Sequence, residues 1–205
     1  MHIESIESEQ KKILENLNRF SGFYLVGGTA LALQMGHRIS VDFDMFSSEK
    51  IPTNFLKKIE KVFKNSKVSL AIKTPDQLSV KVNGVKIDFV SYPFPPILGF
   101  ISYKKINILR IREIAAMKAQ TLGRRPALKY YIDLYFILKD EKINLNEIIN
   151  VADKKFKDEF NGRLFLEQLL YLEDVPDTKI NFLKSVVSKE QLQLFFKEKI
   201  KKIKI

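Results

Sequence analysis

The spacing of apolar residues changes along the chain, and the changes separate an N-terminal half of mixed elements from a helical C-terminal half. Ile3 to Phe20 repeats apolar positions every three or four residues and predicts an amphipathic helix. Phe23 to Val26 is a short apolar run that predicts a buried strand, followed by Gly27-Gly28-Thr29 as a strand-to-helix turn. Thr29 stands where it can cap a helix over Ala30 to Met35, which Gly36 ends. A second strand carries Asp42-Phe43-Asp44 and ends near Phe46, and Pro52 opens a helix to about Lys64. Three strands follow, Val68 to Lys73, Leu78 to Val82 and Val85 to Val90, the last two joined by the two-residue hairpin signature Asn83-Gly84. Pro93, Pro95 and Pro96 then interrupt regular structure. Beyond them the pattern predicts helices at about 110–122, 126–139, 143–155, 161–172 and 178–203. The expected fold class is α+β, with a mixed sheet and flanking helices over residues 1–100 and a helical lobe over 101–205.

Chemistry concentrates in the first half. A strand alternates its side chains between faces, so Asp42 and Asp44 project to one side while Val41, Phe43 and Met45 project to the other. Two carboxylates side by side repel, and a divalent cation relieves that repulsion. Asp88, between Ile87 and Phe89 on a later strand, joins them if its strand is adjacent. Gly27 and Gly28 let backbone approach a ligand, and free amides at the start of the next helix suit a phosphate. Three acids and a glycine turn at this spacing make a candidate phosphoryl-transfer site, with thirteen residues between Gly28 and Asp42. Arg38 is placed either to reach a phosphate or to pair with one of the acids.

Composition narrows the metal and the partners. The chain of 205 residues has no cysteine and only His2 and His37, which removes thiolate and histidine-rich sites and leaves hard oxygen ligands suited to magnesium or manganese. The polar start and the lack of a long apolar run predict a cytoplasmic protein with no membrane partner. Net charge is +11, and residues 101–138 carry eight Lys and Arg against only Glu113 and Asp133. That excess, including Arg124, Arg125 and Lys129, favours a polyanion such as a nucleotide or RNA. Tyr103, Tyr130, Tyr131 and Tyr135 are interleaved with it and are candidates for stacking on bases. The tail from Lys197 to Ile205 is rich in Lys and Ile.

Two charges in the helical half interrupt apolar surroundings. Lys118 falls on the stripe of Ile111, Ile114, Ala115 and Leu122, and Asp133 sits in a helix apolar nearly all round. Each needs a partner or a cavity, and Asp133 has two candidate partners, Lys118 and Lys129.

Taken together, an apolar-Gly-Gly turn, a gap of about a dozen residues, Asp-x-Asp and a later apolar-Asp-apolar resemble the DNA polymerase beta-type nucleotidyltransferase superfamily. The strings Val26-Gly27-Gly28-Thr29-Ala30-Leu31 and His37 to Phe46, with Ala116-Met117-Lys118 and Lys129 to Leu134, resemble more narrowly the AbiEii-type nucleotidyltransferase toxins of type IV toxin-antitoxin systems. The resemblance covers roughly residues 20–140. It implies a nucleoside triphosphate held by Gly27, Gly28, Thr29 and Lys118, with Asp42 and Asp44 as metal ligands and Asp88 as a third ligand or the base for an attacking hydroxyl. It further implies that Lys118 and Asp133 complete an active site between the two halves. An RNA 3′ end as acceptor and an antitoxin as partner are further implications. The family often has an acid directly after the lysine at 129, where this chain has Tyr130. Transfer to a small molecule, and a degenerate fold that only binds nucleic acid, are the alternatives.

Overall fold

The computed structural model describes residues 1–203, so Lys204 and Ile205 of the Lys/Ile-rich tail lie outside the described residues. The chain forms two compact units: Met1–Pro95 with Gly99–Leu109, and Pro96–Leu98 with the chain from Arg110 onward.

The first unit is built on one seven-stranded mixed sheet. Its strands are β1 (Tyr24–Val26), β2 (Phe43–Ser47), β3 (Val68–Lys73), β4 (Gln77–Val82), β5 (Val85–Ser91), β6 (Phe100–Tyr103) and β7 (Ile106–Leu109), in the order β3-β4-β5-β2-β1-β7-β6. The central pairs β2–β5 and β1–β7 are parallel, and the remaining pairs are antiparallel. Helices α1 (Ser8–Leu14), α2 (Gly27–Met35) and α3 (Phe55–Val62) accompany it. Strand alternation fixes the core: Phe43 and Met45 on β2 and Ile87 and Phe89 on β5 are fully buried. Phe89 meets Phe20 and Phe55 edge to face, with ring centroids 5.0 Å apart in both pairs. Burial of that ring contributes about 1.5–3 kcal/mol relative to leaving it in water. The opposite parity, Asp44 on β2 with Lys86 and Asp88 on β5, is thereby turned to the other face.

The β4–β5 hairpin turns through Asn83 and Gly84, both at positive φ (49° and 88°), which a type I′ turn requires. This short turn sets Ser79 opposite Asp88 and Lys81 opposite Lys86. Residues 100–109, where the pattern predicts no strand, form the β6–β7 hairpin. Its turn is made by Lys104 and Lys105 at φ 49° and 64°, in place of the usual Asn and Gly.

The second unit contains α4 (Ile111–Leu122), α5 (Leu128–Lys139), α6 (Leu145–Phe156), α7 (Gly162–Leu170) and α8 (Lys189–Ile200). Glu113 on α4 and Lys155 on α6 form a 2.8 Å ion pair with side chains 0% and 1% exposed. The Glu113 carboxylate also accepts N–H bonds from Ile97 and Leu98, which fastens the segment after the prolines to this unit. Tyr131 is buried, its hydroxyl lies within hydrogen-bond distance of the carbonyls of Gln168 and Tyr171, and burial pushes its pKa up to about 12.

Three helices are shorter than the pattern predicts, and the one expected from Pro52 to about Lys64 is confined to α3. The stretch from Ile3 to Phe20 divides into a 3-10 turn (Ile3–Ser5), α1 and another 3-10 turn (Leu17–Arg19), because Glu7 and Gln10 form a capping box that restarts the helix at Ser8. The last helix begins at Lys189 rather than 178, where Ser188 and Gln191 cap it reciprocally.

Candidate active site

The turn from β1 into α2 is shaped by two glycines with different tasks. Val26 is extended and precedes a helix that starts at Gly27, and no side chain caps this end. Gly27 has φ +71°, and a Cβ there would collide with Oδ2 of Asp44. Gly28 lies under Arg38, whose Nη2 stands 2.9 Å from where a Cβ would be. The first amides of a helix have no partner within it and carry the positive end of its dipole, so this turn presents donors beside a guanidinium. Arg38 is only 5% exposed, and its Nη1 donates to the Ile39 carbonyl at 3.0 Å. Gly27→Ala is expected to add about 1–3 kcal/mol of backbone strain and to push Asp44 aside. A displacement of about 1 Å at a reacting centre lowers turnover roughly a hundredfold. Steady-state kinetics beside a melting curve separate the two effects.

Asp44 is the centre of the arrangement. It pairs with Val26 on β1 and, on its other side, with Asp88 on β5. Register partners on adjacent strands share a face, so these two carboxylates are neighbours. Asp42 lies just before β2 and not on it, and Val41 is 54% exposed instead of facing the core, because ladder pairing with β1 begins only at Asp44. Thr29 does not cap α2. It is the third residue of that helix, fully buried, with its hydroxyl donating to the Asp42 carbonyl and lying 2.8 Å from Ser40 Oγ. It therefore ties the strand-leading loop to the helix.

Asp88 is held by neighbours on both sides. The Ser79 hydroxyl donates to Oδ1 at 2.5 Å, Gln77 Nε2 donates to Ser79 Oγ at 2.9 Å, and the Lys86 ammonium lies 2.6 Å from Oδ2. The hydrogen bond to Asp88 and the charges of Asp88, Asp42 and Asp44 hold the Lys86 pKa above its ordinary value, against the opposing effect of burial. One ammonium thus feels all three acids.

Among the described residues no three His, Cys, Asp or Glu side chains are gathered as a ready-made metal centre. The donor chemistry nonetheless fits a hard divalent cation: Asp44 and Asp88 share a face, Asp42 leads into the same strand, and the missing Cβ of Gly27 leaves room for the Asp44 carboxylate.

In the second unit Lys118 Nζ lies 2.5 Å from Asp133 Oδ2, with side chains 6% and 0% exposed, which decides between the two partners open to Asp133. The Tyr130 ring lies 5.2 Å from the same ammonium and 5.6 Å from that of Lys129, and its hydroxyl is 3.1 Å from Arg125 Nη2. Arg124 pairs with Glu159. Tyr131 is a core residue and not a stacking surface, and Tyr135 packs against Phe195. So Gly27, Gly28, Thr29, Arg38, Asp42, Asp44 and Asp88 gather in the first unit, while Lys118, Arg124, Arg125, Lys129 and Asp133 belong to the second. Lys86 and Ser79 stand in no motif of the sequence. Alternation finds Lys86, two residues before Asp88, but Ser79 is reached only through hairpin register.

A mixed sheet whose glycine turn faces an Asp-x-Asp strand, with a third acid in register beside it, defines the polymerase beta-like nucleotidyltransferase fold. Solved structures sharing it include MenT4, a nucleotidyltransferase toxin from Mycobacterium tuberculosis H37Rv, at 14% identity and TM-score 0.64 over 93% of this chain and 80% of that one. JHP933 from Helicobacter pylori aligns at 16% identity and TM-score 0.52 over 98% and 92% of the two chains. An uncharacterized protein of Aquifex aeolicus (strain VF5) is 29% identical over 204 residues, covering 97% of this chain and 98% of the relative. The family described as nucleotidyl transferase AbiEii toxin, type IV TA system, matches residues 12–204, and the chain belongs to it. It is a nucleotidyltransferase of the toxin class, and membership implies a nucleoside triphosphate substrate and an antitoxin partner. No helix among the described residues is long and apolar enough to cross a membrane.

Proposed function

We propose that the protein transfers a nucleoside monophosphate from a nucleoside triphosphate to the 3′ hydroxyl of an RNA, with release of pyrophosphate, and that this modification inhibits growth. The observation that carries the reading is the seat of Asp44: its carboxylate fills the space left by Gly27 and stands in register with Asp88. Asp42, Asp44 and Asp88 would hold Mg2+ or Mn2+, which when bound neutralises charge on the triphosphate. The uncapped amides of Gly27 and Gly28, together with Arg38, bind phosphate oxygens, and Thr29 keeps the Asp42 loop in place. In the second unit Lys118, ion-paired with Asp133 and 5.2 Å from the Tyr130 ring, is the residue to which the family resemblance assigns a further positive charge for the nucleotide. Arg124, Arg125 and Lys129 lie on the most basic stretch of the chain and contact the acceptor backbone.

The test offers each labelled triphosphate, with magnesium and total RNA, to the wild type and to Asp44→Ala. Label on RNA from the wild type alone supports the reading and identifies the nucleotide. Label that passes to a small alcohol but never to RNA replaces the acceptor. Growth arrest by a protein that labels nothing overturns the transferase mechanism.

A further inference from the structure

The three acids of the first unit carry a cation of their own. Lys86 sits two residues before Asp88 on β5 and on the same face, and its ammonium reaches Asp88 Oδ2 at 2.6 Å. The charges of Asp42 and Asp44 act on that same ammonium. Asp88 is otherwise committed to the Ser79 hydroxyl, so its two oxygens are divided between one hydroxyl and one ammonium. The side chain of Lys86 is 36% exposed, so it can leave toward solvent without crossing the core.

From this geometry we infer that Lys86 is a resident counter-ion of the acid cluster, which a divalent cation must displace from Asp88, so that this residue sets the affinity of the site for metal. The inference rests on the reading of Asp42, Asp44 and Asp88 as metal ligands. Without a bound cation, three like charges at the sheet face repel one another, and the ammonium offsets that repulsion. A second cation entering the same field must break the contact between Lys86 and Asp88 and work against the lysine charge until the side chain swings away. Lys86 is thus a positioning residue for the site. It lowers metal affinity while keeping the carboxylates together for the metal that replaces it.

The experiment measures binding of Mn2+ alone, by calorimetry or by loss of the free-ion paramagnetic signal, to the wild type, Lys86→Met, Lys86→Arg and Asp44→Asn. Lys86→Met keeps the length of the side chain and removes its charge. It is expected to bind Mn2+ about tenfold more tightly or better, the size of effect one nearby charge exerts in a partly solvated site. Lys86→Arg is expected to restore affinity to near the wild-type value, which a role in packing alone would not distinguish from methionine. If the wild type binds Mn2+ through Asp44, yet Lys86→Met binds equally or more weakly, the counter-ion inference is overturned and the metal reading stands. If neither the wild type nor Lys86→Met shows binding that Asp44→Asn removes, the metal reading fails and the inference falls with it.

Discussion

Replacing Asp44 by asparagine is expected to lower nucleotidyl transfer by about a thousandfold or more, the loss of several kcal/mol of transition-state stabilisation at a charge-neutralising site. The fold is expected to survive. Asp44 faces away from the core formed by Phe43 and Met45, and asparagine keeps its size, so the packing of the sheet is unchanged. Stability should therefore stay within about 1 kcal/mol of the wild type, in the range of substitutions outside the core. Labelled-nucleotide transfer read beside a thermal melt tests both halves. A variant that melts far below the wild type would mark Asp44 as a structural acid.

The largest loss of stability is expected from Glu113→Ala in the helical unit. It takes the carboxylate at 2.8 Å away from the Lys155 ammonium, whose side chain is 1% exposed, and it deprives the Ile97 and Leu98 amides of their acceptor. Breaking a buried pair from one side costs about 3–5 kcal/mol, a large share of the roughly 5–15 kcal/mol that holds a domain folded. Arg163→Ala supplies the contrast, since its pair with Glu167 is 88% and 53% exposed. Such a pair is worth at most about 1 kcal/mol. Urea midpoints compared at constant slope read the difference. Equal midpoints would mean that the buried pair contributes no more than a surface one.

What the sequence made legible follows from local rules. Asn83-Gly84 announced a hairpin because its two positive φ values suit those residues, and the alternation around Asp88 announced its face. The β6–β7 hairpin was hidden because Lys104 and Lys105 occupy the left-handed positions, so no composition signal marks the turn. Thr29 was misread as a cap because the helical element already takes in Gly27, directly after an extended valine, which places Thr29 inside the first turn. The partner of Asp133 could not be chosen from spacing alone, since Lys129 is one turn away on its own helix and Lys118 lies on another. Ser79 and Gln77, the companions of Asp88 on β4, depend on strand pairing, which no single strand encodes.

The two-residue link between β4 and β5 also makes the site sensitive to insertion as well as to substitution. Side chains on a strand repeat every two positions, so one extra residue after Gly84 that kept the ladder paired would send Asp88 and Lys86 toward the phenylalanines and expose Ile87 and Phe89 to water. Length at this hairpin is therefore as much a part of the chemistry as the acids are, and a single-codon insertion there would erase activity without altering any residue of the site.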